Sequence, residues 1–288
     1  MKKEFLNLLA CPKCKSKLII SKNKITCQKC KSKYFLSGNI PIFLQKKLKS
    51  ETKAIGAFRA GHKTSLSKIH SQIRPPDTSF TKKINVFNTK VDYPLKSLLQ
   101  KNKLTLNIGS SSKKVYPNTI NLDIGNFENV DVVADGKNLP FKNNSFDLVL
   151  IESVLEHVNE PEKVIKEAYR VLKKSGKVYI SIPFVFVFHG SPDDFNRYTL
   201  NGLIQRLKLS GFKIEKYGIL SGPSSTMSQM LRYYLALLFS FNSDFLFSFF
   251  LNFFGWLTFP IKYLDVLVRK NKKSYVMANI IYATGKKI

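Results

Sequence analysis

Four cysteines carry the most legible chemistry in this 288-residue chain: Cys11, Cys14, Cys27 and Cys30, spaced C-x2-C-x12-C-x2-C. Each pair forms a knuckle whose two sulfurs can reach one ion. Four thiolates make a closed tetrahedral set with no position left for water, the pattern of a structural zinc site. All the cysteines of the chain lie between positions 11 and 30. That clustering argues against a disulfide framework and for a reducing compartment. Four buried free thiols are the alternative. A redox role fits poorly, because neither pair opens a helix in a βα unit.

A second series of capable residues runs through the middle of the chain. Asn107-Ile108-Gly109-Ser110-Ser111-Ser112 is a run of small residues that lets backbone approach a ligand closely. Asp123 closes a following apolar run, where a carboxylate can accept hydrogen bonds from paired hydroxyls. Asp135-Gly136 ends the next run, followed by Leu139-Pro140-Phe141 and Ser145-Phe146-Asp147. Then come Glu152-Ser153 and Glu156-His157-Val158. Further on, His189 precedes Pro192-x-Asp194-Phe195-x-Arg197-Tyr198-Thr199. His189 and Asp194 can act as bases toward an acceptor. Asp194 and Arg197, at i and i+3, can equally pair to fix the loop.

These residues must be held by a scaffold, and the hydrophobic pattern predicts one. Strands are expected at Leu104–Ile108, Thr119–Asp123, Val130–Ala134, Ser145–Ile151, Lys177–Ile182, Phe212–Tyr217 and about Ser274–Thr284, with a helix from about Pro161 to Lys173. Strands alternating with crossovers predict an α/β fold with a doubly wound parallel sheet, whose ligands sit at the carboxyl ends of the strands. Residues 1–44 form a separate small unit and residues 45–95 a Lys-rich linker with one helix near its end. Residues 96–288 make the main domain, with an apolar helical insertion at 230–270.

Two resemblances follow. The ribbon, framed by Leu8-Leu9-Ala10-Cys11-Pro12 and Gly38-Asn39-Ile40-Pro41-Ile42-Phe43-Leu44, resembles the zinc-ribbon family that activates RNA and protein methyltransferases or is fused to them. The acidic series resembles the class I S-adenosylmethionine methyltransferases with small-molecule or lipid substrates, over about residues 100–218, which implies a Rossmann-like methyltransferase sheet. That resemblance implies S-adenosylmethionine as cofactor. It assigns Asn107, Gly109, Ser110 and Ser111 to the methionine and ribose side, Asp123 with Ile124 to the ribose, and Asp135-Gly136 to the adenine edge. Glu152 and Ser153 would line the same cleft. Asn107 stands where the family usually has an acidic residue. On the acceptor side His189 and Asp194 are the catalytic candidates, and Arg197, Tyr198 and His157 the substrate contacts. The Pro192–Thr199 pattern resembles members acting on cell-surface glycans or lipid-linked intermediates.

The net charge of +28 raises nucleic acid as a partner. Yet 40 of the 47 basic residues are Lys, whereas base and phosphate recognition leans on the Arg fork. Residues 1–103 carry +20 of the total, so the basic surface belongs to ribbon and linker. Between Arg232 and Lys262 only Asp244 is charged, and 12 of the chain's 36 aromatic residues fall there. Three polar residues interrupt that stretch and a strand must return to the sheet after it. An interfacial hairpin or a lid is therefore expected rather than a membrane span. The reading is a cytoplasmic methyltransferase, peripheral at the inner membrane face through residues 233–261, acting on a lipid-linked, glycan or other small-molecule acceptor. RNA methylation and a non-catalytic scaffold with a degenerate cofactor pocket are the alternatives.

Overall fold

A computed structural model of the chain describes residues 3–21, 23–44, 95, 98–99, 103–111, 118–190 and 193–288. The expected linker at 45–95 lies almost wholly outside them, as do Ser112 and Pro192.

After a short helix α1 (Lys3–Leu6), strands β1 (Leu18–Ser21), β2 (Lys24–Cys27), β3 (Lys33–Ser37) and β4 (Ile40–Ile42) form an antiparallel meander. The main domain contributes β5 (Thr105–Ile108), β6 (Thr119–Asp123), β7 (Val132–Val133), β8 (Phe146–Glu152), β9 (Leu172–Pro183), β10 (Phe212–Ser221) and β11 (Ile280–Lys287). Its strand order is β7-β6-β5-β8-β9-β11-β10, parallel from β7 to β9, with β11 antiparallel to both neighbours. The two central strands, β5 and β8, are nearly continuous runs of buried residues, as a sheet covered on both faces requires. Several boundaries differ from expectation: β9 begins five residues earlier, at Leu172, and β10 runs on to Ser221. The third strand shrinks to two residues, and the last begins at Ile280 because Ser274–Met277 curls into a 3-10 turn.

Helix α2 (Pro161–Val171) starts with Pro at its first turn, where a missing N–H costs nothing. It buries Val164, Ile165, Ala168 and Val171, a stripe at helical spacing. Helix α3 (Leu200–Leu209) is capped by Thr199, whose hydroxyl accepts from Gly202 N at 3.1 Å.

The ribbon is a continuation of the sheet rather than an appended module. β4 pairs in parallel with β7, and Phe43 N donates to Val133 O at 2.9 Å. Ala10 N donates to Pro140 O at 3.0 Å and Lys142 N to Leu8 O at 2.9 Å. Leu9, Ile25 and Phe43 share one core with Leu139 and Phe141. Glu167 on α2 locks the junction. It accepts from Lys15 Nζ at 2.8 Å, Leu139 N at 2.7 Å and Arg170 Nε at 2.6 Å. Burial alone would raise its pKa, but the Arg170 and Lys15 cations more than offset that and hold it below the usual carboxylate range.

The apolar insertion begins earlier than expected. α4 (Pro223–Phe239) and α5 (Asp244–Thr258) form a hairpin, followed by a 3-10 segment (Phe259–Leu264) and the short α6 (Asp265–Val268). Phe239 packs on Phe250 and Phe254, with ring centroids 5.6 and 5.5 Å apart. Buried Asp265 roots the hairpin, accepting from Gly222 N at 3.1 Å, Ser224 N at 2.7 Å and Ser225 Oγ at 2.7 Å. A carboxylate there satisfies the open amides at the start of α4 and complements its positive end.

Glu167→Ala is expected to destabilise the chain by about 2 kcal/mol in denaturant unfolding, because it orphans a buried amide and two cations. Lys163→Ala, which removes the exposed pair with Glu160, should cost less than about 0.5 kcal/mol.

Candidate functional site

The parallel strands β5, β6, β7 and β8 end around an open cleft lined by Gly109, Asp123, Asp135, Gly136 and Ser153. Its shape depends on backbone that few side chains tolerate. Gly109 has φ +71°, and a Cβ there would stand 2.3 Å from Val154 Cγ2. Ser111 and Ser153 also take positive φ, 51° and 52°. Left-handed non-glycine residues at two rims of one cleft are the kind of local strain that functional sites retain.

Asp123 is the best-oriented group in the cleft. It is buried, its Oδ2 accepts from Ser111 N at 2.8 Å and its Oδ1 from Gly125 N at 2.9 Å. Each oxygen keeps a second lone pair for a ligand hydroxyl. Asp135 caps the 3-10 turn Gly136–Asn138 through Lys137 N at 2.9 Å and faces the same cleft, as do Ile124, Gly136, Ser153 and His157. Other candidates fall elsewhere. Asn107 donates to Asn121 Oδ1 at 3.1 Å on β6 and is absent from the cleft wall, so its amide ties two strands. Ser110 is buried behind the turn with its hydroxyl toward Ser111 O. Glu152 ends β8 opposite Ser181, beside the cleft wall rather than in it.

Beside the cleft, His157 and His189 bring their rings to 4.8 Å, and Phe186 stands edge-on to His189 at 5.7 Å. Asp194 is not available as a base. Its side chain is 3% exposed, ion-paired with Arg197, and accepts from His189 N at 2.9 Å. Burial would raise its pKa, but the Arg197 guanidinium and the His189 amide outweigh that and hold it below the usual range. Asp194 and Arg197 are therefore positioning residues that set the His189 loop. Tyr198 departs from the expected substrate role. It packs in the main core, with the Arg206 guanidinium 5.0 Å from its ring centroid.

Glu156 is the residue whose importance the sequence left implicit. Its carbonyl accepts from Phe195 N at 2.7 Å, anchoring the acceptor loop. Its carboxyl is fully buried and has no hydrogen-bond partner among the described residues. Desolvation pushes it up to about 8. The Glu156-His157-Val158 motif marks the position, but nothing in it signals that the side chain turns inward.

The four cysteine sulfurs lie within 4.8 Å of one another. Cys11 and Cys30 are 3.6 Å apart and Cys14 and Cys27 3.4 Å. A tetrahedron of thiolates around zinc has sulfurs about 3.8 Å apart, so the cluster fits one such ion. Tyr34 Oη approaches Cys11 Sγ at 3.3 Å, an outer contact of the kind that orients a ligand.

Residues 112–180 match the family model of the methyltransferase domain, and residues 2–38 that of the Trm112p-like protein. An uncharacterized protein of Methanocaldococcus jannaschii is 39% identical over 93 residues, 28% of this chain and 45% of that protein. The ubiquinone/menaquinone biosynthesis C-methyltransferase UbiE of Rickettsia prowazekii is 38% identical over 78 residues, 27% of this chain and 31% of that enzyme. The chain thus spans less than half the length of these curated relatives. Among solved structures, the complex of the Haloferax volcanii Trm112 methyltransferase activator with a methyltransferase aligns at TM-score 0.43 and 15% identity, over 67% of this chain and 87% of that chain. Haemonchus contortus phosphoethanolamine N-methyltransferase 2 in complex with S-adenosyl-L-methionine aligns at TM-score 0.43 and 17% identity, over 67% and 51%. The pairing expected from the cysteines and the acidic series is present: a Trm112p-like domain precedes a methyltransferase domain. Asp123, Asp135 and Glu156 lie inside the matched stretch, and Gly109 just before it.

The buried Glu156 carboxyl predicts a pH signature. Between its ordinary range near 4.5 and about 8, the folded chain keeps a proton that the unfolded chain releases. Stability therefore falls as pH rises through that window. Thermal unfolding of Glu156→Gln should lack this decline, so its advantage over wild type widens up to pH about 8 and is constant above it. Parallel pH profiles for the two proteins would refute the assignment.

Proposed function

We propose that this chain is an S-adenosylmethionine-dependent methyltransferase that acts on a small-molecule acceptor, of lipid-linked or glycan type. The observation that carries the reading is the Asp123 carboxylate, oriented by two backbone amides at the end of β6 beside the Gly109 turn. The cofactor would supply a methyl group on a sulfonium, already activated for displacement. Asp123 would hold its ribose hydroxyls and the Asp135 turn its adenine edge. The chain's remaining task is to orient an acceptor and exclude water. Phe186 and the His157–His189 pair stand where an acceptor would approach, and either imidazole can take the proton that an acceptor hydroxyl or carbon gives up. The +20 carried by residues 1–103 favours RNA as a second acceptor class. The cysteine cluster would hold a structural zinc ion, and the site is read as cytoplasmic.

Calorimetric titration tests the reading. Wild type should bind S-adenosylmethionine, and Asp123→Ala should bind it about ten- to a hundredfold more weakly, the loss of one charge-assisted contact. Equal affinity in both proteins, or no binding to wild type, overturns it. Elemental analysis should return one zinc per chain, lost together with cooperative unfolding of the ribbon when Cys27 is replaced by Ser.

A further inference from the structure

We propose that the α4–α5 hairpin is a docking surface for an anionic lipid bilayer, on which it lies flat. This goes beyond the methyl-transfer reading and does not depend on it.

Helix α5 is apolar on two opposite sides, and only one is covered. Phe250 and Phe254 pack on Phe239 of α4. The other side carries Phe245, Phe249, Phe253 and Leu257, which are 77%, 53%, 55% and 65% exposed. Their spacing of four places them in one stripe along the helix. Leu237, Leu238 and Phe241 extend the exposed apolar surface to the hairpin tip. A helix at a water-facing surface puts polar residues outward, whereas here four large apolar side chains face outward alongside exposed Asp244 and Ser248.

The charges at the base identify the partner. Of the charged residues between Asp244 and Val268, Lys262 and Asp265 are buried. Directly after follow the exposed Lys270, Lys272 and Lys273, with Trp256, Tyr263 and Tyr275 exposed in the same stretch of chain. Phe and Leu in the stripe, Trp and Tyr at its end and a basic rim beyond match the layers of acyl chain, interface and anionic headgroup. A second copy of the chain would present a rim of the same charge. A full crossing is excluded by the fold. The 25-residue span Asp244–Val268 is long and apolar enough, but its helix ends at Thr258, Asp265 is hydrogen-bonded to the start of α4, and β11 returns to the sheet.

The root of the hairpin is tied to the segment that follows β9. Asn279 Nδ2 donates to Val185 O and to Gln229 Oε1, both at 3.2 Å, so α4 and that segment spring from one point of the sheet edge.

The experiment is co-sedimentation of the full chain with vesicles of phosphatidylcholine, with and without phosphatidylglycerol. Wild type should sediment with the anionic vesicles and less with the neutral ones. Replacing Phe245, Phe249 and Phe253 by Ser should lower partitioning at least about tenfold, with the thermal transition unchanged. Replacing Lys270, Lys272 and Lys273 by Glu should abolish the preference for phosphatidylglycerol. No sedimentation of wild type, equal sedimentation of the Ser variant, or a concentration-dependent dimer that the same Ser changes dissolve would each overturn the proposal, the last in favour of a second copy. S-adenosylmethionine affinity of the Ser variant should match wild type, which separates this test from that of the methyl-transfer reading.

Discussion

Strand β7 is hydrogen-bonded on both edges. On one side β7 pairs with β6, and on the other Phe43 of the ribbon donates to the Val133 carbonyl. With only two residues, β7 has little pairing of its own, and an open edge there would expose unsatisfied backbone. The ribbon closes it and then grips the chain again eight residues later, at Phe141. Asp135 and its 3-10 turn lie between these two grips. The Asp135 wall of the cleft is therefore held by a module that contributes no side chain to the cleft lining.

The carboxylates divide by how they are satisfied. Asp123, Glu167 and Asp265 each gather backbone amides and fix a junction: a loop against a strand, the ribbon against α2, the hairpin against the sheet. Such charge-assisted bonds make local geometry specific. The Glu156 carboxyl is buried with no hydrogen-bond partner among the described residues, and desolvation pushes it up to about 8. The backbone carbonyl of Glu156 holds Phe195 in the loop that follows β9.

What was legible in the sequence follows physical locality. The cysteine spacing reads directly because each knuckle is a few residues long and its geometry is self-contained. Asp123 and Asp135 read from their places at strand ends, which hydrophobic runs mark. Asn107 misled because side chains alternate along a strand, and a residue two before Gly109 can turn to the neighbouring strand instead of the cleft. Tyr198 misled because its fate is set by α3 packing, beyond the reach of its motif. The union of ribbon and sheet into eleven strands was invisible, since it depends on β4 meeting β7 across some 90 residues of chain. The apolar character of the hairpin was plain from composition, but only the fold reveals which side of α5 is left uncovered.

The β4–β7 pairing is made within one chain. Tethering makes the ribbon's docking on β7 an intramolecular event with a high effective concentration. A free-standing ribbon of the same shape would have to displace an incumbent that cannot diffuse away. The methyltransferase domain therefore carries its own ribbon, one per domain from the moment of synthesis.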